Sequence, residues 1–248
     1  MINFFRKIRH RFLTTGRTTK YLTYAMGEIV LVVIGILIAL GINNANEDRK
    51  EQKVEQQLIT RLHNEYQENK SLLIERTNVM HQSKDASLRI MGLMNNDLSQ
   101  VETTTIDSLV FYTIEYAPYT PLSTTWTEIT QMGKLDLISN QKLRDLLGQW
   151  AIQYNKHQGT FRVFEKWVEE GILPYLSKRI ALKNVDRFGL LQWKEVSEFE
   201  SDYSTVLKDR EFENIIDNHL YPHGLMINEY QNLESIIDEI IQITEGDP

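Results

Sequence analysis

The 248-residue chain contains no cysteine, which excludes disulfides, thiolate metal sites and cysteine nucleophiles. It has only five prolines, and they fall between helical patterns rather than through a repeat. No GxGxxG or GxxxxGK[ST] loop and no GxSxG elbow occurs, so the common phosphate-cradling and serine-nucleophile signatures are missing. HExxH is absent as well. No convincing stretch of alternating polar and apolar residues reads as a strand, and there is no internal repeat or low-complexity tract. One further absence is local: no acidic residue precedes Glu28.

What is present is a chain with a divided charge. Arg6, Lys7, Arg9, Arg11, Arg17 and Lys20 all precede Glu28, although the formal net charge of the whole is −7. The remainder is therefore strongly acidic. An acidic body argues against nucleic acid as a partner, because phosphate binding needs clustered Lys and Arg. The basic head suits an anionic lipid leaflet. Apolar residues make up 42% of the chain, enough for a packed core.

Tyr21 to Ile42 carries one charge, Glu28, in 22 residues. As a helix this run is about 33 Å long, sufficient for a hydrocarbon core of about 30 Å. Tyr21 and Tyr24 stand at its basic end, where aromatic rings favour the interface. Asn43, Asn44 and Asn46 mark its exit. The positive-inside rule places the basic end in the cytoplasm and the following 200 or so residues outside it. Ala39-Leu40-Gly41 loosely resembles a signal-peptidase site, but the basic region before it is longer than a signal peptide uses. A retained anchor is the expectation.

Within the basic head, Phe5, Ile8 and Phe12 share a helical face beside Arg6 and Arg9, which suits a short helix lying on the inner leaflet; the alternative is a flexible positive flank that only sets topology. Arg6, Lys7, Arg9 and Arg11 are the residues expected to face lipid. "TTGRTT" at 14–19 has the composition of a hinge. Beyond the apolar run, residues 43–57 contain good helix formers and a single large apolar residue, Val54, and read as a solvated helical stalk of roughly 22 Å. Val54, Leu58, Leu62, Tyr66 and Leu73 then form an apolar stripe in a helix expected to run, with interruptions, to about residue 94, where "NND" ends it.

The rest reads as helices with punctuation. A short helix spans about 105–116 and is stopped by Pro118 and Pro121. Thr125 with Glu128 fits a capping box for a helix ending near Gly133. Ser139 is a candidate cap for a long helix through residue 171, in which Leu143, Leu146, Leu147, Trp150, Ile152 and Tyr154 recur at helical spacing and Gly159 is a candidate kink. Pro174 opens another short helix, and 184–204 lacks a regular pattern. The last helix is expected over about 224–244, with Met226, Tyr230, Leu233, Ile237 and Ile240 at steps of four and three.

Two segments carry a resemblance. "FFRKIR" at 4–9 followed by "GEIVLVVIGILIALGINNANE" at 27–47 resembles the N-terminal signature of a family of uncharacterised bacterial inner-membrane proteins. "WTEITQMGKLDLISNQKLRDLL" at 126–147 looks like a second segment of that family. The family usually has glutamine where this chain has Gly41 and tryptophan where it has Ala45. The resemblance implies a single-pass anchor and a helical outer domain, and it brings no activity, cofactor or catalytic residue.

Candidate chemistry is sparse. His219 and His223 have the four-residue spacing of metal ligands on a helix, but Pro222 between them predicts a break and two surface histidines in a turn. Glu169-Glu170 and Asp238-Glu239 read as solvated helix faces. Trp126, Trp150, Trp167 and Trp193, with the tyrosines, either line a pocket between helices or, as is more usual, fill the core.

Glu28 has the sharpest reading. A carboxylate near a bilayer centre costs on the order of 2.5–3.5 kcal/mol. It can snorkel to the inner interface, or pair with Lys20 or Tyr24 of its own helix. Alternatively it can pack against other copies: Glu28, Val32, Gly35, Ala39 and Ile42 are spaced four, three, four and three, so they share one face. Gly35 and Ala39 form a small-xxx-small pair that lets helices approach closely. A polar group on that face can hydrogen-bond to its counterparts in an oligomer.

The sequence thus predicts an all-α protein: a basic cytoplasmic or interfacial segment at 1–20, a transmembrane helix at 21–43, a helical stalk at 44–57 and an extracytoplasmic helical, bundle-like domain at 58–248. The expected role is a homo-oligomeric, membrane-anchored interaction or sensing module of the bacterial envelope, with the outer domain binding an envelope protein or small ligand in the periplasm. An ion- or proton-conducting oligomer with a Glu28 ring is the alternative, and an envelope enzyme without a recognisable motif a remote third. No sequence feature makes an enzyme the expectation, and none calls for a cofactor, a metal or catalytic residues.

Overall fold

The structure, a computed structural model, describes residues 18–246. The interfacial helix expected at 2–12, with Arg6, Lys7, Arg9 and Arg11, lies outside the described residues. So does most of the hinge expected at 14–19; its last two residues already belong to the first helix. The described residues are helical throughout, with turns and irregular connections and no strand.

Helix α1 runs without interruption over Thr18–Leu93, 76 residues. It contains no proline, and its residues after Ile42 are mostly strong helix formers. It ends where the sequence places the stop. Asn95 takes a positive φ of 58°, a conformation asparagine tolerates, and its N–H donates to the Leu207 carbonyl at 3.0 Å.

The chain divides into two compact units between Glu55 and Gln56. In the first unit, the large apolar side chains of α1 from Ile29 to Ile42 are exposed on every face. This stretch is long and apolar enough to cross a membrane.

The second unit is a helical body. On α1, Leu58, Leu62, Tyr66, Leu73, Met80 and Ile90 are buried at helical spacing. Helix α2 spans Thr103–Ile114, α3 Thr124–Gln131 and α4 Gln141–Lys166. The helical path then widens to π geometry over Trp167–Ile172 and passes into α5, Leu173–Leu176. Short helices α6, Leu182–Val185, and α7, Tyr203–Val206, flank an irregular stretch, and α8 spans Arg210–Glu245.

Pairings across α8 define the packing. His63 meets Thr244, Lys70 meets Asp238 and Ser83 meets His223, so numbers rise on α1 as they fall on α8. The same holds for α4, where Lys142 meets Glu239 and Thr160 meets Glu229. Helix α8 is therefore antiparallel to both. A second apolar cluster joins the end of α1 to α2, the π turn, α5, α7 and the start of α8 through Ile90, Leu109, Ile172, Leu176, Val206 and Phe212.

Four local readings are corrected by this packing. The Thr125–Glu128 capping box does not form. The Thr125 N–H donates instead to the buried Glu65 carboxylate at 2.7 Å, and Glu128 pairs with Arg61 and Lys134. The cap of α4 is Asn140 rather than Ser139; its Oδ1 accepts from the Leu143 N–H. Helix α4 continues through Gly159, and its geometry changes only at Trp167. The wider turn precedes Pro174, which has no N–H for the helical ladder.

The fourth correction is the largest. Helix α8 begins fourteen residues earlier than its apolar spacing predicts and carries Pro222 in its interior. An interior proline costs about 3 kcal/mol. Phe212, Ile216, His219, Pro222, His223 and Met226 are all buried on this stretch, and their burial outweighs that cost. Asp209 starts the helix by accepting from the Glu211 N–H at 2.8 Å, and it also accepts from the Tyr175 hydroxyl at 2.6 Å.

The loop before α3 is held by one side chain. Asn69 Nδ2 donates to the Leu122 carbonyl at 2.8 Å, and its Oδ1 accepts from the Leu122 N–H at 2.7 Å. Asn69→Ala should destabilise the body by about 2 kcal/mol, because both backbone groups lose their partner. A lowered urea midpoint with an unchanged slope is the expected record.

Candidate functional site

The first candidate surface lies on α1. Glu28, Val32, Gly35 and Ala39 share one face by the four-three-four spacing along an unbroken helix. Val32 is exposed, and a Cβ added at Gly35 would meet nothing within 4 Å. At Val32 and Gly35 the face is thus open among the described residues. The side chains of Lys20 and Tyr24, the intrahelical partners expected for Glu28, lie outside the described residues.

The second candidate is inside the body, where α4 meets α8. Trp150, His157, Phe161 and Phe164 are buried on one face of α4. His157 is 1% exposed, and its Nδ1 stands 3.8 Å from Oε2 of Glu229, itself 4% exposed. The other carboxylate oxygen accepts from the Thr160 hydroxyl at 3.0 Å and lies 3.7 Å from Lys156 Nζ. Among the described residues, neither His157 Nδ1, Glu229 Oε2 nor the Tyr230 hydroxyl has a hydrogen-bond partner. Burial lowers the His157 pKa to about 4, so the ring is neutral near pH 7. Above this group opens a cleft of about 330 Å3, walled by Tyr119, Tyr154 and Phe161 and edged by Gln158 and Arg162. Tyr119 and Tyr154 meet edge to face at 6.0 Å, and Tyr154 stacks on Trp150 at 5.4 Å.

A turn further along the same interface sit the two histidines of α8. Both are fully buried in a continuous helix, which overturns the expectation of a surface turn. Their protons follow from their partners. His223 Nδ1 lies 2.8 Å from the His219 carbonyl, and a carbonyl only accepts, so this nitrogen carries hydrogen. The neutral ring then presents Nε2 as an acceptor 2.9 Å from the Ser83 hydroxyl, whose single proton is shared between this nitrogen and the Thr113 carbonyl at 3.1 Å. His219 Nε2, 3.0 Å from the Thr113 carbonyl, is likewise the protonated nitrogen of its ring. Desolvation lowers the pKa of His219 to about 3, with His223 adding to the effect, and that of His223 to about 4. The Phe164 ring is 4.7 Å from His219 and 4.8 Å from His223.

The other residues singled out by the sequence are accounted for structurally. Glu169 accepts from Tyr116, and Glu170 lies 3.5 Å from Lys166 on an exposed face. Asp238 and Glu239 fasten α8 to α1 and α4 through Lys70 and Lys142. Trp150 is core, Trp126 and Trp167 are half-buried, and Trp193 is exposed. Among the described residues no group of three or more His, Asp or Glu is placed to hold a metal ion. Ser83, His157, Thr160 and Glu229 were not expected. The steps of four and three from Trp150 through Tyr154, His157, Phe161 and Phe164 are the signal that places His157 on the buried face.

Residues 28–157 match the model of a family of unknown function, DUF6090. The chain belongs to this family. The DUF6090 match takes in just over half of the chain, from Glu28 on α1 to His157 on α4. It covers the small-residue face, Ser83 and much of the aromatic wall, but not Glu229 or the histidines of α8. No curated protein and no solved structure matches the chain.

Proposed function

We propose that this DUF6090 member is a membrane-anchored, homo-oligomeric interaction or sensing module of the bacterial envelope. In this reading the head at 1–20 lies at the cytoplasmic face of the inner membrane, where Arg6, Lys7, Arg9 and Arg11 meet anionic lipid. Residues 21–43 span the bilayer, 44–57 form a stalk, and the helical body works in the periplasm.

The observation that carries the reading is the first unit of α1. Its apolar side chains from Ile29 to Ile42 are exposed all round, and Glu28 is the one charge between Tyr21 and Ile42. Apolar side chains exposed on every face of so long a helix are stable in lipid rather than in water. The cleft beside His157 supports sensing as the task of the body.

The orientation follows from the six cations before Glu28. A reporter active only in the periplasm, fused after residue 248 and expressed in a bacterial host, is expected to be active. Activity confined to a cytoplasmic reporter at the same position would reverse the topology.

A further inference from the structure

The cleft between α4 and the segment at 118–120 has a chemistry that selects its occupant. Its volume, about 330 Å3, is at the small end of the range of small-molecule sites, about 300–1,000 Å3. The walls are ring faces and edges: Tyr119, Tyr154 and Phe161. Among the described residues the one ionised side chain lining it is Arg162, whose Nε donates to the Gln158 carbonyl at 3.2 Å. That bond uses one of five guanidinium donors and positions the rest at the rim. Among the described residues no carboxylate lines the cleft.

His157 completes the description. Its Nδ1 lies 3.8 Å from the Glu229 carboxylate, whose charge favours the tautomer with the proton on Nδ1 and the lone pair on Nε2. At 3.8 Å the attraction is electrostatic rather than a hydrogen bond. Glu229 is held in turn by Thr160. The cleft therefore offers an acceptor from His157, an array of cationic donors from Arg162 and aromatic surfaces between them.

We propose that this cleft binds a small organic acid: a flat, mostly apolar body with a carboxylate for Arg162 and an O–H or N–H donor for His157. Arg162 recognises the carboxylate by charge-assisted hydrogen bonds. The rings of Tyr154 and Phe161 take the flat body. His157 distinguishes ligands that carry a donor from those that do not, and Glu229 is a positioning residue whose charge favours the tautomer with a free Nε2 lone pair. The proposal rests on the sensing part of the function above, and not on topology or self-association, so its test is run on the detergent-solubilised full chain whatever its oligomeric state.

The probe is para-hydroxybenzoate, followed by equilibrium dialysis and saturation-transfer NMR at pH 7. Saturable binding is expected. Benzoate, which lacks the phenolic donor, should bind several-fold more weakly. Tyramine, of similar size with a cation in place of the carboxylate, should not compete. Arg162→Gln, at an exposed position where the fold is not at stake, should weaken para-hydroxybenzoate at least about tenfold, as loss of a charge-assisted pair implies. Its circular dichroism should be unchanged. Absence of saturable binding overturns the proposal. So does equal binding to Arg162→Gln, or tyramine binding more tightly than the acid. Correct topology and self-association with no binding would remove this ligand class and leave the anchored module standing.

Discussion

Acidification from pH 7 to pH 5 should destabilise the helical body by on the order of 5 kcal/mol. The cause is three buried neutral histidines. His157 and His223 have pKa values lowered to about 4 and His219 to about 3. Unfolding returns each to about 6.5. A lowered folded-state value means that the unfolded chain binds more protons below pH 6.5. The stability is therefore complete above that pH and is lost as the pH falls from about 6.5 towards 4. Each histidine contributes about 2 kcal/mol to the loss at pH 5. His219 and His223, with ring centroids 4.6 Å apart, do not add independently, because one proton disfavours the second.

Carboxyl groups do not mask this window. The values lowered by hydrogen bonds and ion pairs, at Asp97, Glu128, Asp202 and Asp209, act below about pH 4. Asp107 and Glu115 are raised by burial, so their contribution favours folding as the pH falls and opposes the histidines. Urea unfolding followed by far-ultraviolet circular dichroism at pH 7, 6 and 5 measures the balance. His219→Gln keeps a donor for the Thr113 carbonyl and removes one titration, so its pH slope should be shallower. A body equally stable at pH 7 and pH 5 would show that these rings are solvated.

The histidines also show where sequence reasoning ends. His219 and His223 are four apart on one helical face, and that relation was legible. Their burial was not, because Pro222 between them is a strong local breaker while the packing that overrides it comes from α1, α2 and α4. The Glu65 carboxylate on the Thr125 N–H is similar: the acceptor is sixty residues from the donor. A local candidate, the hydroxyl of Thr125 with Glu128, was the obvious reading and the wrong one. By contrast the apolar run before Asn43, the stop at Asn95 and the stripe from Leu58 to Leu73 depend only on helical period and terminators, and all were legible. So was the absence of strands. His157 lies between these cases. Its spacing from Trp150 and Phe161 is a signal for the core face that went unread, and its neighbour Glu229 could be found only once α8 was packed against α4.

The second large effect is expected in the membrane segment. In the proposed oligomer, Gly35→Ile should weaken association by at least about tenfold. A Cβ added at Gly35 meets nothing within 4 Å among the described residues, so in the proposed oligomer its effect falls on the neighbouring copy. Small-xxx-small faces associate because backbones approach closely, and a branched side chain at the contact separates them. Glu28→Gln should leave the oligomer largely intact, since an amide both donates and accepts. The same variant separates the two uses of the face. If Glu28 carries protons through a wet lumen, Glu28→Gln abolishes pH-dependent flux in liposomes while keeping the oligomer; if the wild type forms an oligomer without flux, the face is a packing seam.

The absence of cysteine makes the central claim, self-association through one face of the anchor, directly measurable. Single cysteines placed one at a time from residue 28 to residue 42 would be oxidised in native membranes and the dimer yield read on non-reducing gels. Cross-linking should peak for Glu28→Cys, Val32→Cys, Gly35→Cys, Ala39→Cys and Ile42→Cys, and should be low at Val30, Ile34 and Leu37. A flat profile, a maximum on another face, or no cross-linked species at any position would contradict the account.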